Sequence, residues 1–536
     1  MSIFYPTRKQ LDYFTHLQHN IQPLHSNVNI CVLYPRAVCE RIQQKAHVEQ
    51  SGKMTVTRSD YMRRVDDPIK GSGTPCKGVG SGSRKIWPLL SRKVISSSKQ
   101  CRPYRIGSQS RSRFLLGTSA GVIERQNVPQ QLCQDPESFH CAIGRILAVA
   151  QWFGLLPVFG VLLPSYKGLT FRKISFRTFY AIVLAASMLF VTSSSVIHMI
   201  RSIYSKSFDI KGGIASATAG VIFYGNSVLG ASIFLWLAPR WGPLQHEWQA
   251  MEQLTDRWGR PRLRMKFSIL TGIILLSAMI EHILSMINNT PNYHWGNSTN
   301  ASFESYLDEY THKSHAFILS TWDYNIVLGI FLFTISKIAT FTWNFTDLFL
   351  MLVATGLAER FKTLNKRMTS RNAAMPTIGE WKILRESYAA LSALVKRVDN
   401  DVSPIVLLSF VNNLYFICLQ LLNGLSRPEG EAVLSTVYFF GSFIFLVART
   451  IGVTLLASRI NDQSRIALPI LYTCPAKTYC IETQRLEHQL ATDDVALSGL
   501  RFFFITRSFL LAVAGAIVTY EVILLQFNLA MNQDGE

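Results

Sequence analysis

The feature that most limits this chain is a series of long apolar blocks with almost no charge inside them. In approximate limits they run Ala142–Leu163, Phe179–Ile200, Gly213–Ala238, Phe267–Ile287, Ile326–Ala358, Pro404–Leu422, Leu434–Ala457 and Phe502–Phe527. Most reach the roughly 20 residues that a helix needs to cross ~30 Å of hydrocarbon. Charged residues make up only 16% of the 536, against 48% hydrophobic, where an ordinary soluble domain carries about 25% charge. The excess of 54 Lys and Arg over 34 Asp and Glu would by itself suit a nucleic-acid binder. The cations, however, sit between and before the apolar blocks, as in a multi-span membrane protein that keeps its basic residues cytoplasmic. A 12% aromatic content excludes a disordered or fibrous chain, and the soluble multidomain reading falls with the blocks.

Residues 1–138 are polar, basic and rich in Ser and Gly, with no sustained period. They read as a largely disordered cytoplasmic leader, of which Lys70–Lys99 is the most flexible stretch; a lipid-surface or partner-binding arm is the functional alternative. No cleaved signal peptide is expected at the start. The nine cysteines include no C-x-x-C pair, so a structural zinc site is not expected.

Loop chemistry sets the expected topology. The loop 288–322 holds sequons at Asn288, Asn297 and Asn300 together with Glu304, Asp308 and Glu309, which places it outside and glycosylated. A fourth sequon, at Asn344, lies inside an apolar block and should stay unmodified. The flanking loops, with Arg240, Arg257, Arg260, Arg262 and Arg264 on one side and Arg360, Lys362, Lys366, Arg367 and Arg371 on the other, are then cytoplasmic. So is the loop with Lys167, Arg172, Lys173 and Arg177. A cytoplasmic leader fits this only if Ala142–Leu163, which carries Arg145 and Pro157, does not cross but forms a re-entrant or surface helix. The expectation is an all-α membrane protein with seven transmembrane helices, N-terminus cytoplasmic and C-terminus extracellular. Residues 139–178 would form the re-entrant or surface helix and a basic linker, and 179–358 the first four helices, with a ligand-binding bundle. Residues 359–403 would be a cytoplasmic helical extension, and 404–527 the last three helices with a pore helix at 502–527. Residues 528–536 would be an extracellular tail.

At the last block the pattern becomes specific. Thr519-Tyr520-Glu521-Val522-Ile523-Leu524-Leu525-Gln526-Phe527 resembles the TYhhhhhQF signature that ends insect gustatory receptors. Glu521 after the Tyr, with Phe139–Val158 and Thr340–Leu364, is similar to the sugar-receptor branch, and the likeness covers roughly Phe139 to Phe527. Independently of any family, positions seven apart on a helix differ by about 20° around its axis. Thr519 and Gln526 therefore share one stripe, with Ile523 between them, and Tyr520 and Phe527 share its neighbour. The stripe suits a pore wall with an apolar constriction; Tyr520 and Phe527 as interfacial anchors are the structural alternative. The resemblance implies the insect chemoreceptor channel fold, a tetrameric cation channel whose last helix lines the central path with the Gln526-Phe527 pair at the constriction. Ala512, Ala514, Gly515 and Ala516 would let helices approach closely, between subunits or within one.

Ionisable groups within the membrane are functional candidates by default. Glu281 and His282 lie near the outer end of one block, and Trp322, Asp323, Tyr324 and Asn325 open the next. Tyr224, Asn226, Asn413, Tyr415, Gln420, Tyr438 and Phe439 would face them. Carboxylates, amides and aromatic faces together suit sugars, whose vicinal hydroxyls bind polar groups while the C–H face lies on a ring. Each of these residues could instead serve an interface or a helix–helix bond. Water competes for every hydroxyl, so affinity should be on the order of millimolar, about −4 kcal/mol. Lys337 and Arg449 lie deeper, and Arg449 reads as a structural ion-pair or snorkelling residue.

Ile378–Asp401 repeats Trp381, Leu384, Tyr388, Leu391, Leu394, Val395 and Val398 at helical spacing. The resemblance implies that such extensions join subunits; a helix lying on the membrane surface is the alternative. No enzyme signature is present, and no cofactor or nucleic acid is expected. The reading is a sugar-gated, non-selective cation channel in the plasma membrane of a taste neuron, a homotetramer or a heterotetramer with related receptors. Its partners would be a small sugar, permeant cations and membrane lipid. The alternatives are a seven-helix receptor signalling through a soluble partner and a taste receptor for other ligands. A transporter ranks below them, since no internal repeat is visible.

Overall fold

A computed structural model describes residues 135–204, 213–290, 302–369, 376–425 and 433–533. The leader up to residue 134 and the sequons at Asn297 and Asn300 lie outside them. Among the described residues every extended element is a helix, and the β contacts are isolated bridges, Phe159 with Thr170 and Ser498 with Phe504.

Helix α1, Phe139–Trp152, begins where the Ser138 hydroxyl accepts the Cys141 amide, the usual serine cap. It buries Phe139, Ile143, Leu147 and Ala150 along one face. At 1.5 Å per residue its 14 residues reach about 21 Å, too short to span a bilayer. It stops before Pro157, where Gly154 (φ 76°) and Leu156 (φ 49°) turn the chain. There follow α2 (Phe176–Tyr204), α3 (Gly213–Thr255), α4 (Leu263–Asn288), the short α5 (Phe303–Ser314) and α6 (Ala316–Leu319), and α7 (Ile326–Thr369). Next come α8 (Ile378–Leu425), α9 (Val433–Arg465), the short α10 (Leu468–Tyr472) and α11 (Ile481–Thr492), and finally α12 (Arg507–Gln533). Helices α2, α3, α4, α7, α8 and α9 supply six candidate spans by length and hydropathy, and the chain is a multi-pass membrane protein.

Helix α7 is the centre of the bundle, packed by α3, α4, α8 and α9. Its residues from Asn344 to Phe361 are all buried, as in a helix covered by neighbours on every side. Gly356 lets α1 onto it. There Phe139 stacks on Trp248 at 3.7 Å between ring centroids and meets Phe267 edge-on at 5.8 Å. Below this aromatic layer Arg360 binds Glu252 at 2.7 Å and Asp256 at 2.5 Å, while Glu252 also accepts the Phe139 amide at 3.0 Å. One arginine thus ties α3, α7 and the start of α1 together.

Two expectations are corrected here. The stripe Trp381, Leu384, Tyr388, Leu391, Leu394, Val395 and Val398 is not a membrane-surface face. All seven are buried in this chain's own core, covered by α7 through Phe361 and by α11 through Leu486 and Leu490. The last apolar block, expected as a pore helix, does not become helical at Phe502. Residues 498–504 form a turn in which Leu500 and Arg501 take positive φ, and helix α12 begins at Arg507. It also continues to Gln533, so most of the expected tail is helical.

Candidate ligand cavity

A cavity of about 420 Å³ opens among α3, α4, α5, α7, α8 and α9, toward the end of the bundle where α5 sits. Five expected ligand residues line it: Tyr224, Glu281, His282, Gln420 and Tyr438. They come from α3, α4, α8 and α9, so only tertiary packing brings them together.

Its polar wall is a chain of bonds. Gln420 Nε2 donates to Ser442 Oγ at 3.1 Å, and Ser442 Oγ donates to Glu281 Oε1 at 3.1 Å. Across the cavity the Tyr224 hydroxyl pairs with His315 Nε2 at 2.6 Å, and Tyr310 pairs with Ser336 at 3.0 Å. The Lys337 ammonium stands 4.3 Å from the Phe333 ring centroid and 4.8 Å from that of Tyr310. Burial, with Lys337 nearby, holds the His315 imidazole down at about 4, so it is neutral at physiological pH. Phe223, Trp343 and Phe416 supply ring faces, the last two with centroids 4.8 Å apart.

Among the described residues, the buried polar atoms of this lining without a partner include His282 Nε2, His315 Nδ1 and Gln420 Oε1. Buried polar atoms are nearly always satisfied, and leaving one unpaired costs about 1–3 kcal/mol. A ligand rich in hydroxyls can donate to or accept from all three, while its apolar face lies on the rings.

One lining residue, Arg449, is held in an ion pair. Arg449 Nε meets Asp347 Oδ2 at 2.8 Å. Asp347 also accepts from Ser409 and, at 2.9 Å, from Asn413, and Arg449 donates to Asn344. Asn413 therefore belongs to the network behind the lining, where its Oδ1 accepts Trp343 Nε1 at 3.1 Å. Arg449 is an ion-pair residue, and its partner Asp347 was not visible as such in the sequence.

Other candidates stand apart from the cavity. Trp322 and Asp323 are exposed on the connection before α7. Asn325 caps that helix by accepting the Leu328 amide at 2.8 Å, and Tyr324 packs on Gly329 while its hydroxyl donates to the Glu304 carbonyl. Tyr415 bonds Thr218 at 2.9 Å, and Asn226 bonds Asn412. Asn288 ends α4, where its carbonyl accepts Lys313 Nζ at 3.0 Å.

Helix α12 packs on α8 and α9. Near its start Phe509 stacks on Phe503 at 4.5 Å and meets Phe410 edge-on at 5.1 Å. Beyond that its surface is largely uncovered: Leu511, Val518, Val522 and Ile523 are exposed, as are Thr519 and Gln526. The Thr519 hydroxyl donates to the Gly515 carbonyl one turn back. Tyr520 and Glu521 are half-buried, and the side chain of Phe527 lies outside the described residues.

The family model described as trehalose receptor matches residues 117–535. Gustatory receptor 5a for trehalose of Drosophila melanogaster is 34% identical over 397 residues, covering 73% of this chain and 85% of that protein. The gustatory receptor for sugar taste 64f of the same organism is 32% identical over 480 residues, 89% of this chain and 94% of its own. Among solved structures, the insect olfactory receptor OR5 from Machilis hrabei superposes with a TM-score of 0.54 at 14% identity, over 73% of this chain and 100% of that one. Its complex with eugenol gives 0.53.

Proposed function

The chain belongs to the insect gustatory receptor family, in its trehalose and sugar-receptor branch, and on that premise we propose that it is a sugar receptor of taste neurons that gates a cation pore. The observation that carries this reading is the set of unpaired polar atoms, His282 Nε2, His315 Nδ1 and Gln420 Oε1 among them, beside the rings of a 420 Å³ cavity. A sugar supplies hydroxyls to those atoms and a C–H face to Trp343 and Phe416. The relatives named for trehalose and sugar taste point to the same ligand class.

In this reading the cavity opens outward, with the sequon at Asn288 extracellular and the arginine-rich helix ends cytoplasmic, as the positive-inside rule favours. Helix α12 is the seventh crossing and carries the chain's end outside. Its uncovered face of Leu511, Val518, Val522 and Ile523 meets copies of this chain or related receptors around a shared axis. A tetramer with Thr519, Ile523, Gln526 and Phe527 at the path follows from the family signature. Sugar opens it by binding the open arrangement better than the closed one, since a ligand shifts an equilibrium only by its differential affinity.

Whole-cell recording from cells expressing this chain, alone and with a related sugar receptor, tests the proposal against a panel of mono- and disaccharides. A dose-dependent cation current is expected. Its absence in every combination, with the protein at the cell surface, overturns the reading. A current that disappears in excised patches would instead favour signalling through a soluble partner.

A further inference from the structure

A second cleft, of about 800 Å³, lies between α1 and the start of α2, with Gln151, Trp152, Leu162, Phe176, Arg177 and Tyr180 in its lining. It is walled unlike the sugar cavity. Trp152 and Phe176 are 77% and 81% exposed, so the cleft opens sideways from the bundle through aromatic edges. The Tyr180 hydroxyl, donating to the Trp152 carbonyl at 2.8 Å, holds the two helices across it.

Its polar corner is cationic. The guanidiniums of Arg177 and Arg172 stand 4.6 and 5.8 Å from the centre of one ring, Phe159. Arg177 is fixed there by bonds to Gln151 Oε1 and the Val158 carbonyl, at 3.0 and 3.2 Å. Among the described residues Lys167, Arg172, Lys173 and Arg177 form no ion pair with a carboxylate. By contrast Arg260, Arg360, Lys396 and Arg459 are each so paired. Arg177 in the lining and Arg172 on the same ring, neither paired with a carboxylate, call for an anion joined to a hydrocarbon chain beside this apolar slot. A free inorganic anion would leave Trp152, Leu162 and Phe176 wet.

We infer that this cleft holds an anionic diacyl phospholipid from the cytoplasmic leaflet, its phosphate against Arg177 and Arg172 and one acyl chain along Trp152 and Phe176. Because α1 rests on α7 through Phe139 and Gly356, a lipid wedged there would brace the bundle from its inner rim. The inference depends on α2 crossing the membrane, not on the sugar or the pore.

Native mass spectrometry of the full-length protein in detergent, with phosphatidylserine or phosphatidylcholine of the same chain length added, reads the site directly. Phosphatidylserine should remain bound preferentially, and the exposed double variant R172Q/K173Q should weaken it by about fivefold for each cation contributing. W152A should reduce retention of both lipids. R177Q should also abolish the preference; if it does not fold, the other two variants still decide. Equal retention of the two lipids, retention unaltered in R172Q/K173Q, or displacement of phosphatidylserine by millimolar inorganic phosphate would each overturn the inference, whatever the sugar recordings show.

Discussion

Asp347 of α7 and Arg449 of α9 form an ion pair at 2.8 Å in which both side chains are almost wholly shielded, and Arg449 lines the candidate cavity. Removing one partner of such a pair strands the other charge, at about 3–5 kcal/mol, whereas removing both together costs far less. D347N and R449M should each abolish surface expression in a biotinylation assay. The double variant should recover a substantial part, because Ser409 and Asn413, which donate to the Asp347 carboxylate, can still donate to the amide oxygen that replaces it. A double variant as poor as the singles would mean that the pair does more than neutralise itself.

Sugar potency should separate the cavity wall from the loop above it. Gln420→Ala and Glu281→Gln remove or alter groups on the Gln420–Ser442–Glu281 chain. A lost buried hydrogen bond of about 1.4 kcal/mol corresponds to about a tenfold rise in half-maximal concentration. Asp323→Asn, on an exposed connection outside the cavity, should leave the dose-response curve in place. A shift at Asp323 equal to that at Gln420 would return the loop to the binding site.

Helices were largely legible because long apolar blocks admit few other solutions, and the observed α2, α3, α4, α7, α8 and α9 follow those blocks. What each polar residue faces was not. Asp323 and Glu281 look alike in the sequence, each beside an aromatic or histidine near a block's end, but helix rotation and loop path send one to solvent and one to the cavity. Asp347 lay unnoticed inside a block, although a carboxylate there demands a cation, and Arg449 was the available one. Tyr310 and His315 lie in a loop whose sequons and charges carry no sign of what its rings face. The turn before α12 was hidden because Phe502, Phe503 and Phe504 look like helix interior, while the left-handed Leu500 and Arg501 carry no glycine signal.

Acidification should act through His315. Its folded pKa of about 4 lies below the unfolded value near 6.5, so the unfolded chain binds the proton more readily. The stability this group contributes is therefore fully present above about pH 6.5 and is lost progressively as pH falls toward 4. Thermal midpoints of the detergent-solubilised protein should hold between pH 7.5 and 6.5, then decline. His315→Gln, which cannot take the charge, should flatten that decline; an identical slope in the variant would assign the pH dependence to other groups.

Gly356 should resist enlargement. A Cβ there would stand 2.9 Å from Phe139 Cδ2 and 3.1 Å from Trp248 Cζ2, and both rings are fully buried. Overpacking of this kind costs about 1–3 kcal/mol. Gly356→Val should lower the thermal midpoint by several degrees and reduce surface protein. The channels that do reach the surface should keep their sugar potency, because the cavity lies at the other end of α7. A change in potency without loss of stability would mean that the α1 contact is linked to gating.

The last prediction concerns the uncovered face of α12. In one chain Ile523 and Gln526 are exposed side by side with Val522, an arrangement that calls for lipid, other subunits or a narrow path to enclose it. If Ile523 forms an apolar constriction, a small polar residue there should let the path wet without sugar. Ile523→Ser should therefore raise resting current, and Gln526→Glu should shift the reversal potential toward that of a more cation-selective pore. Both variants should leave half-maximal sugar concentration within about twofold, because neither residue lines the 420 Å³ cavity. A large potency shift with unaltered leak and selectivity would place α12 outside the conducting path and leave its apolar face to lipid.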